Sequence, residues 1–283
     1  MDFRPIRFDQ DALTQYCALF MACFPGSDKF TPAYVDWLYK ANPDGPAVGY
    51  DAWEGERLAA HYVCVPAMAM IQGQATRVLL SLNTATHPDF QGKGLFTKLA
   101  DLTYQAGAEQ GFDGCYGVAN ANSTPGFLRK LGFQLVRPLE ARVGMGRLHT
   151  DGKAAGEIAF ERSWNAASLA WRCANPHNRV YYRAAGERWQ FHAAALGGGT
   201  VPAYAELPRA ALPLDGDGGK APGMLRLFLG LAPDASASYW NFISIPQRLR
   251  PSPLNLIYRS FTPRVTTLDP SAIRFSFLDF DAY

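Results

Sequence analysis

The first half of the chain changes its hydrophobic period in a regular order. A short β-prone run at Phe3–Phe8 comes first. Leu13, Cys17, Phe20 and Phe24 then step by four, three and four, which predicts a helix from Asp11 to about Phe24, stopped by Pro25-Gly26. Pro32 suits the first turn of a second helix over Thr31–Lys40. Three strands follow, at Ala47–Trp53, Leu58–Met70 and Ala75–Thr86, joined by turns at Glu54-Gly55-Glu56-Arg57 and Gln72-Gly73-Gln74. After Gln91-Gly92-Lys93-Gly94 the helical period returns, with Leu95, Leu99, Leu102 and Ala106 on one face and an end near Gly111. A strand (Gly114–Ala121), a short helix (Gly126–Lys130) and a closing strand (Phe133–Pro138) complete a β-α-α-β-β-β-α-β-α-β order. The pattern predicts an α/β fold on a mixed sheet.

The second half reads as strand-rich, with runs at Arg179–Ala184, Trp189–Leu196, Val201–Glu206, Met224–Leu231, Leu254–Ser260 and Ile273–Asp279. Asp215–Gly223 is a surface loop by composition. The halves resemble each other. Ala41-Asn42-Pro43 and Ala174-Asn175-Pro176 lie 133 residues apart, and Gly55-Glu56-Arg57 and Gly186-Glu187-Arg188 lie 131 apart, each pair in a helix-to-hairpin context. That spacing points to an internal duplication. The expected domains are 1–150 and 156–283, and only the first carries the Gln91–Gly94 turn.

Composition narrows the function. With 283 residues, 48% apolar and 18% charged, the chain can bury a large core. A formal charge of +2 gives no case for nucleic acid or an anionic membrane as partner. Five cysteines without a Cys-x-x-Cys pair argue against a disulfide framework and against a metal site. The N-terminal run has no apolar stretch of signal-peptide length and no run suits a membrane helix, so a cytoplasmic location is expected.

The chemistry concentrates at Gln91–Phe96. Glycines at the start of a helix let the backbone turn sharply and approach a ligand. The first helical N–H groups have no intrahelical partner, and the helix dipole adds positive charge there. An ordinary strand-to-helix turn is the plain alternative, and no Walker pattern or βαβ dinucleotide context is present.

Thr84-Ala-Thr-His87-Pro88-Asp89-Phe90-Gln91-Gly92-Lys93-Gly94, the helix after it, Asn122 and Leu131-Gly132-Phe133 together resemble the GNAT acetyltransferase superfamily over about residues 3–138. The family's Arg/Gln-x-x-Gly-x-Gly/Ala loop is Gln91-x-x-Gly94-x-Phe96 here, so Phe96 replaces a small residue and is expected to crowd the site. The resemblance implies an acyl-CoA N-acyltransferase fold, in tandem with a degenerate GNAT-like second half that builds the acceptor pocket. It implies acetyl-CoA or another acyl-CoA as cosubstrate, with backbone amides of Gln91, Gly92, Lys93, Gly94, Leu95 and Phe96 on the pyrophosphate. Thr84, Ala85 and Thr86 would pair with the pantetheine arm, and Asn122 would bond the pantetheine or acyl region.

The family's usual tyrosine acid is Leu128 here, with Tyr116 as a substitute. Candidates for the base are His61, Asp279, Asp281 and the terminal carboxylate of Tyr283; a satisfied core histidine and a solvated tail are their plain alternatives. Asn83, on the cofactor strand, can orient an acceptor but is no base. The expected reaction is acyl transfer to a primary amine; the Ala-Asn-Pro hairpin entries and the Phe277-Leu-Asp-Phe-Asp281 tail resemble bacterial tandem members of the superfamily, which implies a nucleotide-linked amino sugar as acceptor. Small amines, aminoglycosides, aminoacyl transfer and a non-catalytic acyl-CoA sensor are the alternatives.

Overall fold

The computed structural model describes residues 1–148, 158–196, 199–210, 212, 214, 223–234, 240–250 and 252–281. Most of the Asp215–Gly223 loop and the terminal Tyr283 lie outside the described residues. In chain order the elements are β1 (Asp2–Pro5), α1 (Gln10–Cys23), α2 (Pro32–Tyr39), β2 (Val48–Glu54), β3 (Arg57–Ile71), β4 (Gln74–Thr86), α3 (Leu95–Glu109), β5 (Gly114–Ala119), α4 (Thr124–Lys130), β6 (Gln134–Pro138) and β7 (Glu140–Met145). They continue as β8 (Phe160–Arg162), α5 (Ala166–Cys173), β9 (Tyr181–Ala185), β10 (Arg188–Leu196), β11 (Val201–Pro208), β12 (Leu225–Gly230), β13 (Phe242–Ser244), β14 (Asn255–Ser260) and β15 (Ile273–Arg274).

Contacts divide the chain into two compact units, and not by one cut near residue 150. The first holds Met1–Ala67, Arg77–Gln134 and Ile257–Thr267; the second holds Met68–Thr76, Leu135–Leu256 and Leu268–Tyr283. The reason is β14, which lies beside β5 in a sheet of order β1-β2-β3-β4-β5-β14-β6. Gly114 lets it in: a Cβ there would sit 2.8 Å from the Arg259 carbonyl oxygen.

In the first unit, α1 is capped by Asp9, whose side chain accepts from the Ala12 N–H, and α2 by Thr31 in the same way from Tyr34. Leu13, Cys17 and Phe20 are buried as the period requires, while Phe24 falls beyond the helix end and is exposed. The buried face of α3 is Leu95, Leu99, Ala100, Thr103, Tyr104 and Gly107, rotated away from Leu102 and Ala106. Gly107 sets this rotation, because a Cβ there would come within 2.6 Å of Leu79 Cδ1 on β4. Leu79, Leu99, Cys115, Phe127, Phe133 and Ile257 form the core between this helix and the sheet.

The second unit has a sheet of order β13-β7-β12-β11-β10-β9 and a short parallel β8–β15 pair. Strands β7, β8 and β13 carry weak sequence signals because each has at most six residues. Only Ile273–Arg274 of the expected strand Ile273–Asp279 pairs as a strand; Phe277–Asp279 is a 3-10 turn. Arg172 on α5 holds that turn, donating to the carbonyls of Leu278 and Phe280 at 3.1 and 2.7 Å.

Candidate functional site

β4 and β5 run parallel and stay in register from Val78–Gly114 to Ser81–Gly117. Beyond that pair β4 runs on to Thr86 and β5 to Ala119, and both lead to the same end of the sheet. Asn83, two residues past the last pair, has φ +48°, a left-handed backbone that Asn tolerates better than most residues. The β4–β5 pairing stops before this residue, at the carboxyl ends of two parallel strands, a place where α/β sheets bind ligands.

The expected cofactor residues gather at this end. Thr84 and Thr86 are half-buried and Ala85 buried on the last stretch of β4. The 3-10 turn Pro88–Phe90 then leads into Gln91–Gly94, which is exposed. Gly92 and Gly94 have φ +76° and +73°, and a Cβ on either would meet nothing within 4 Å. The loop is therefore bent as only glycine allows without strain, and it faces open space. Gly94 is the N-cap of the 15-residue α3 and supplies no side-chain cap, so the first N–H groups of that helix remain available to an acceptor. Lys93 lies over the Phe90 ring at 4.8 Å. These features fit a diphosphate-bearing ligand.

The turn is braced by a contact that sequence reading missed. Arg57, in the β2–β3 hairpin, bonds Asp89 at 2.5 Å and lies 5.0 Å over the Phe90 ring. The Arg57 guanidinium holds the Asp89 carboxyl below the usual carboxylate range. Nothing in the local pattern links a hairpin-turn arginine to a residue 32 positions on; only the fold does.

Asn122 is exposed at the end of β5. The turn there is organised by Asn120, whose Oδ1 accepts from the N–H groups of Asn122 and Ser123, both at 3.0 Å. Phe96 does not crowd the cradle. Its ring meets Phe127 and Tyr62 edge to face, with centroids at 5.2 and 6.1 Å, and packs on Gly126, where a Cβ would sit 2.9 Å from the ring. Leu128 packs against the same core. Tyr116 has no exposed surface.

The base candidates are placed differently from the expectation. His61 has no exposed surface. Its Nδ1 is 2.7 Å from Asp51 Oδ1 and its Nε2 2.8 Å from Tyr39 Oη, so neither nitrogen is offered to a substrate. Asp279 and Asp281 belong to the second unit. Asp279 caps its own 3-10 turn, accepting from the Ser276 N–H at 2.6 Å and from Trp164 Nε1 at 2.9 Å, and burial pushes its carboxyl up to about 6. Asp281 Oδ1 lies 3.6 Å from Arg172 Nη1. Both carboxylates thus hold the segment that carries them. Among the described residues no group of three or more His, Cys, Asp or Glu side chains could hold a metal, and no helix is long and apolar enough to cross a membrane.

Comparison with known proteins agrees with this geometry. Residues 3–136 match the family described as acetyltransferase (GNAT) domain. The fold is similar to that of a conserved protein of unknown function from Enterococcus faecalis V583, described as a probable N-acyltransferase. That likeness has 11% identity and a TM-score of 0.55, and covers 92% of this chain and 73% of that one. It is also similar to a GCN5-related N-acetyltransferase from Anabaena variabilis ATCC 29413, with 12% identity and a TM-score of 0.59 over 91% of this chain and 72% of that one. None of the curated proteins matches the chain.

Proposed function

We propose, from the match of residues 3–136 to an acetyltransferase (GNAT) domain, that the chain moves an acetyl or other short acyl group from acyl-coenzyme A to a primary amine. One observation carries the reading: the pairing of two parallel strands stops after Ser81 and Gly117, and at the same sheet end two left-handed glycines lead into an uncapped helix. The pyrophosphate would accept from the backbone N–H groups of Gln91–Phe96, and the pantetheine arm would lie along Thr84–Thr86, with Asn122 at its side. The amine lone pair forms the new C–N bond to the thioester carbonyl, and the C–S bond breaks as the tetrahedral adduct collapses. Coenzyme A departs as a thiolate, and the surplus proton on nitrogen passes to solvent. A backbone N–H of β4 near Thr84 would stabilise the oxyanion of the adduct.

We read the second unit as a worn copy of the first that builds an acceptor pocket for a nucleotide-linked amino sugar. Two local likenesses support the copy. Asn42 and Asn175 are both buried after a helix, and each accepts the N–H of the residue two positions on. Gly55 and Gly186, at φ +63° and +60°, each start a two-residue hairpin turn closed by an arginine. In each unit an antiparallel hairpin is followed by a parallel strand pair, β4–β5 and β11–β12.

The test is calorimetric titration with coenzyme A and acetyl-coenzyme A on wild type and on Gly94→Trp, then thiol release with an amine panel headed by nucleotide-linked amino sugars. Micromolar binding that Gly94→Trp abolishes, followed by turnover, is expected. No binding by wild type would refute the cofactor assignment. Binding without turnover on any amine would make the chain an acyl-CoA sensor.

A further inference from the structure

A line of buried polar side chains in the first unit ends at Asn83 on β4. Asp51 Oδ1 is 2.7 Å from His61 Nδ1, His61 Nε2 is 2.8 Å from Tyr39 Oη, and Asn83 Nδ2 is 3.2 Å from Tyr39 Oη. Asp51, His61 and Tyr39 are at most 1% exposed, whereas Asn83 is half-buried. The other Asp51 oxygen accepts from Tyr16 Oη at 2.8 Å, and Tyr16 in turn accepts from the Arg7 N–H. Rings enclose the imidazole, with Tyr16 at 4.3 Å, Phe20 at 5.6 Å and Tyr39 at 5.7 Å between centroids.

This line has a direction. A carboxylate only accepts, so His61 must carry its proton on Nδ1 and donate it to Asp51. In the neutral imidazole Nε2 is then an acceptor and takes the Tyr39 O–H. Burial pushes the Tyr39 hydroxyl well above its ordinary range, which keeps it a donor. The Tyr39 oxygen is left to accept, and the only donor Asn83 can offer is its Nδ2. With His61 neutral each link sets the next, and the last sets which way the Asn83 amide faces.

The geometry points to Asn83 Oδ1 as a hydrogen-bond acceptor for the N–H of the amine substrate, its orientation set through Tyr39 and His61 by the Asp51 carboxylate. The inference rests on the acyltransferase reading above. Oδ1 has no hydrogen-bond partner among the described residues and lies just past the last β4–β5 pair, next to the stretch assigned to the pantetheine arm. An amine that donates one N–H there can turn its lone pair toward the thioester. Asn83 is then an acceptor-binding residue, and Tyr39 and His61 are positioning residues that act through it. This gives His61 a role that direct base catalysis cannot, since it is sealed from solvent. The left-handed backbone at Asn83 also gains a reason, because it turns this side chain back toward Tyr39 just past the point where the strand pairing stops.

The experiment is a double-mutant cycle on the full chain, with Asn83→Gly, Tyr39→Phe and both together. Glycine suits the φ of +48°, so Asn83→Gly removes the amide with little backbone cost. The probes are acetyl-coenzyme A by calorimetry, and thiol release with n-butylamine, a bare primary amine. Asn83→Gly is expected to raise KM for n-butylamine about tenfold, with acetyl-coenzyme A affinity within about twofold of wild type. Tyr39→Phe is expected to cost about threefold to fivefold in kcat/KM in the wild-type background and nothing further in Asn83→Gly. Equal losses in both backgrounds, or an unchanged amine KM in Asn83→Gly, would overturn the inference. So would wild type that binds acetyl-coenzyme A yet turns over no n-butylamine.

A second arm needs no acceptor. Imidazole 15N NMR of the wild type should show His61 as the neutral Nδ1–H tautomer; the Nε2–H form would reverse every donor in the line and overturn the inference. Failure of wild type to bind coenzyme A would instead strike the acyltransferase reading, leaving the tautomer result to judge the line itself.

Discussion

Phe96 offers a sharp test because sequence and structure assign it opposite roles. At a position where the resembled family keeps a small residue, a phenyl ring suggests a narrowed cofactor site. The fold turns that ring inward, against Phe127, Tyr62 and Gly126. Phe96→Ala therefore removes core packing and leaves the cradle's backbone N–H groups in place. A fully buried Phe→Ala change costs about 3–5 kcal/mol; Phe96 is half-buried, so about 2–3 kcal/mol is expected. At about 2–4 °C per kcal/mol for a domain of 150–250 residues, Tm should fall by about 5–10 °C. Coenzyme A affinity, measured by calorimetry well below that Tm, should stay within about twofold. The reasoning is refuted if Phe96→Ala binds coenzyme A several-fold tighter while Tm hardly moves. That result would mean the ring occupies ligand space.

Three further outcomes follow from the site. Gly94→Ala and Gly94→Trp should lose similar stability, about 1–2 kcal/mol in thermal or urea unfolding, because both pay for a left-handed backbone and neither meets a neighbour. Coenzyme A binding should separate them, with Ala retaining most of the affinity and Trp none. Of the five thiols only Cys23 is not buried, and it lies beside the backbone of Thr86 on β4; a disulfide reagent should find one fast thiol in the native chain, slowed by coenzyme A. Burial pushes the Asp279 carboxyl up to about 6, from an ordinary value of 3.8. The folded state therefore holds the extra proton, and the stability from this group is full below about pH 4 and lost as pH rises through about 6. Asp279→Asn should flatten urea-unfolding stability across that interval.

What the sequence made legible was local. The first-unit helices and strands, the turn glycines and the loop after β4 depend on residues a few positions apart, and these elements appear near where the pattern puts them, although the buried face of α3 is rotated. The failures are long-range. The placement of β14 beside β5 is carried by a glycine opposite a backbone carbonyl, a contact between positions 114 and 259 that no periodicity encodes. Phe96 looked like a site residue because its partners, Phe127 and Tyr62, were not yet beside it. Asp279 and Asp281 looked available because acidic residues near a C-terminus usually are, whereas Arg172 and Trp164 hold them from more than 100 positions away.

His61 shows why a residue can be right in identity and wrong in office. A histidine on a strand near a cofactor loop invites the reading of a base, and the fold surrounds it with three aromatic rings and occupies both nitrogens. A base that must meet an ammonium cannot be sealed from it. A group that must hold a fixed tautomer gains from being sealed, since water would offer each link of the line an alternative partner. Burial therefore argues against proton transfer at His61 and in favour of orientation through it. A left-handed asparagine at the far end of such a line is the economical place for the protein to present one acceptor oxygen where the pairing of two parallel strands stops.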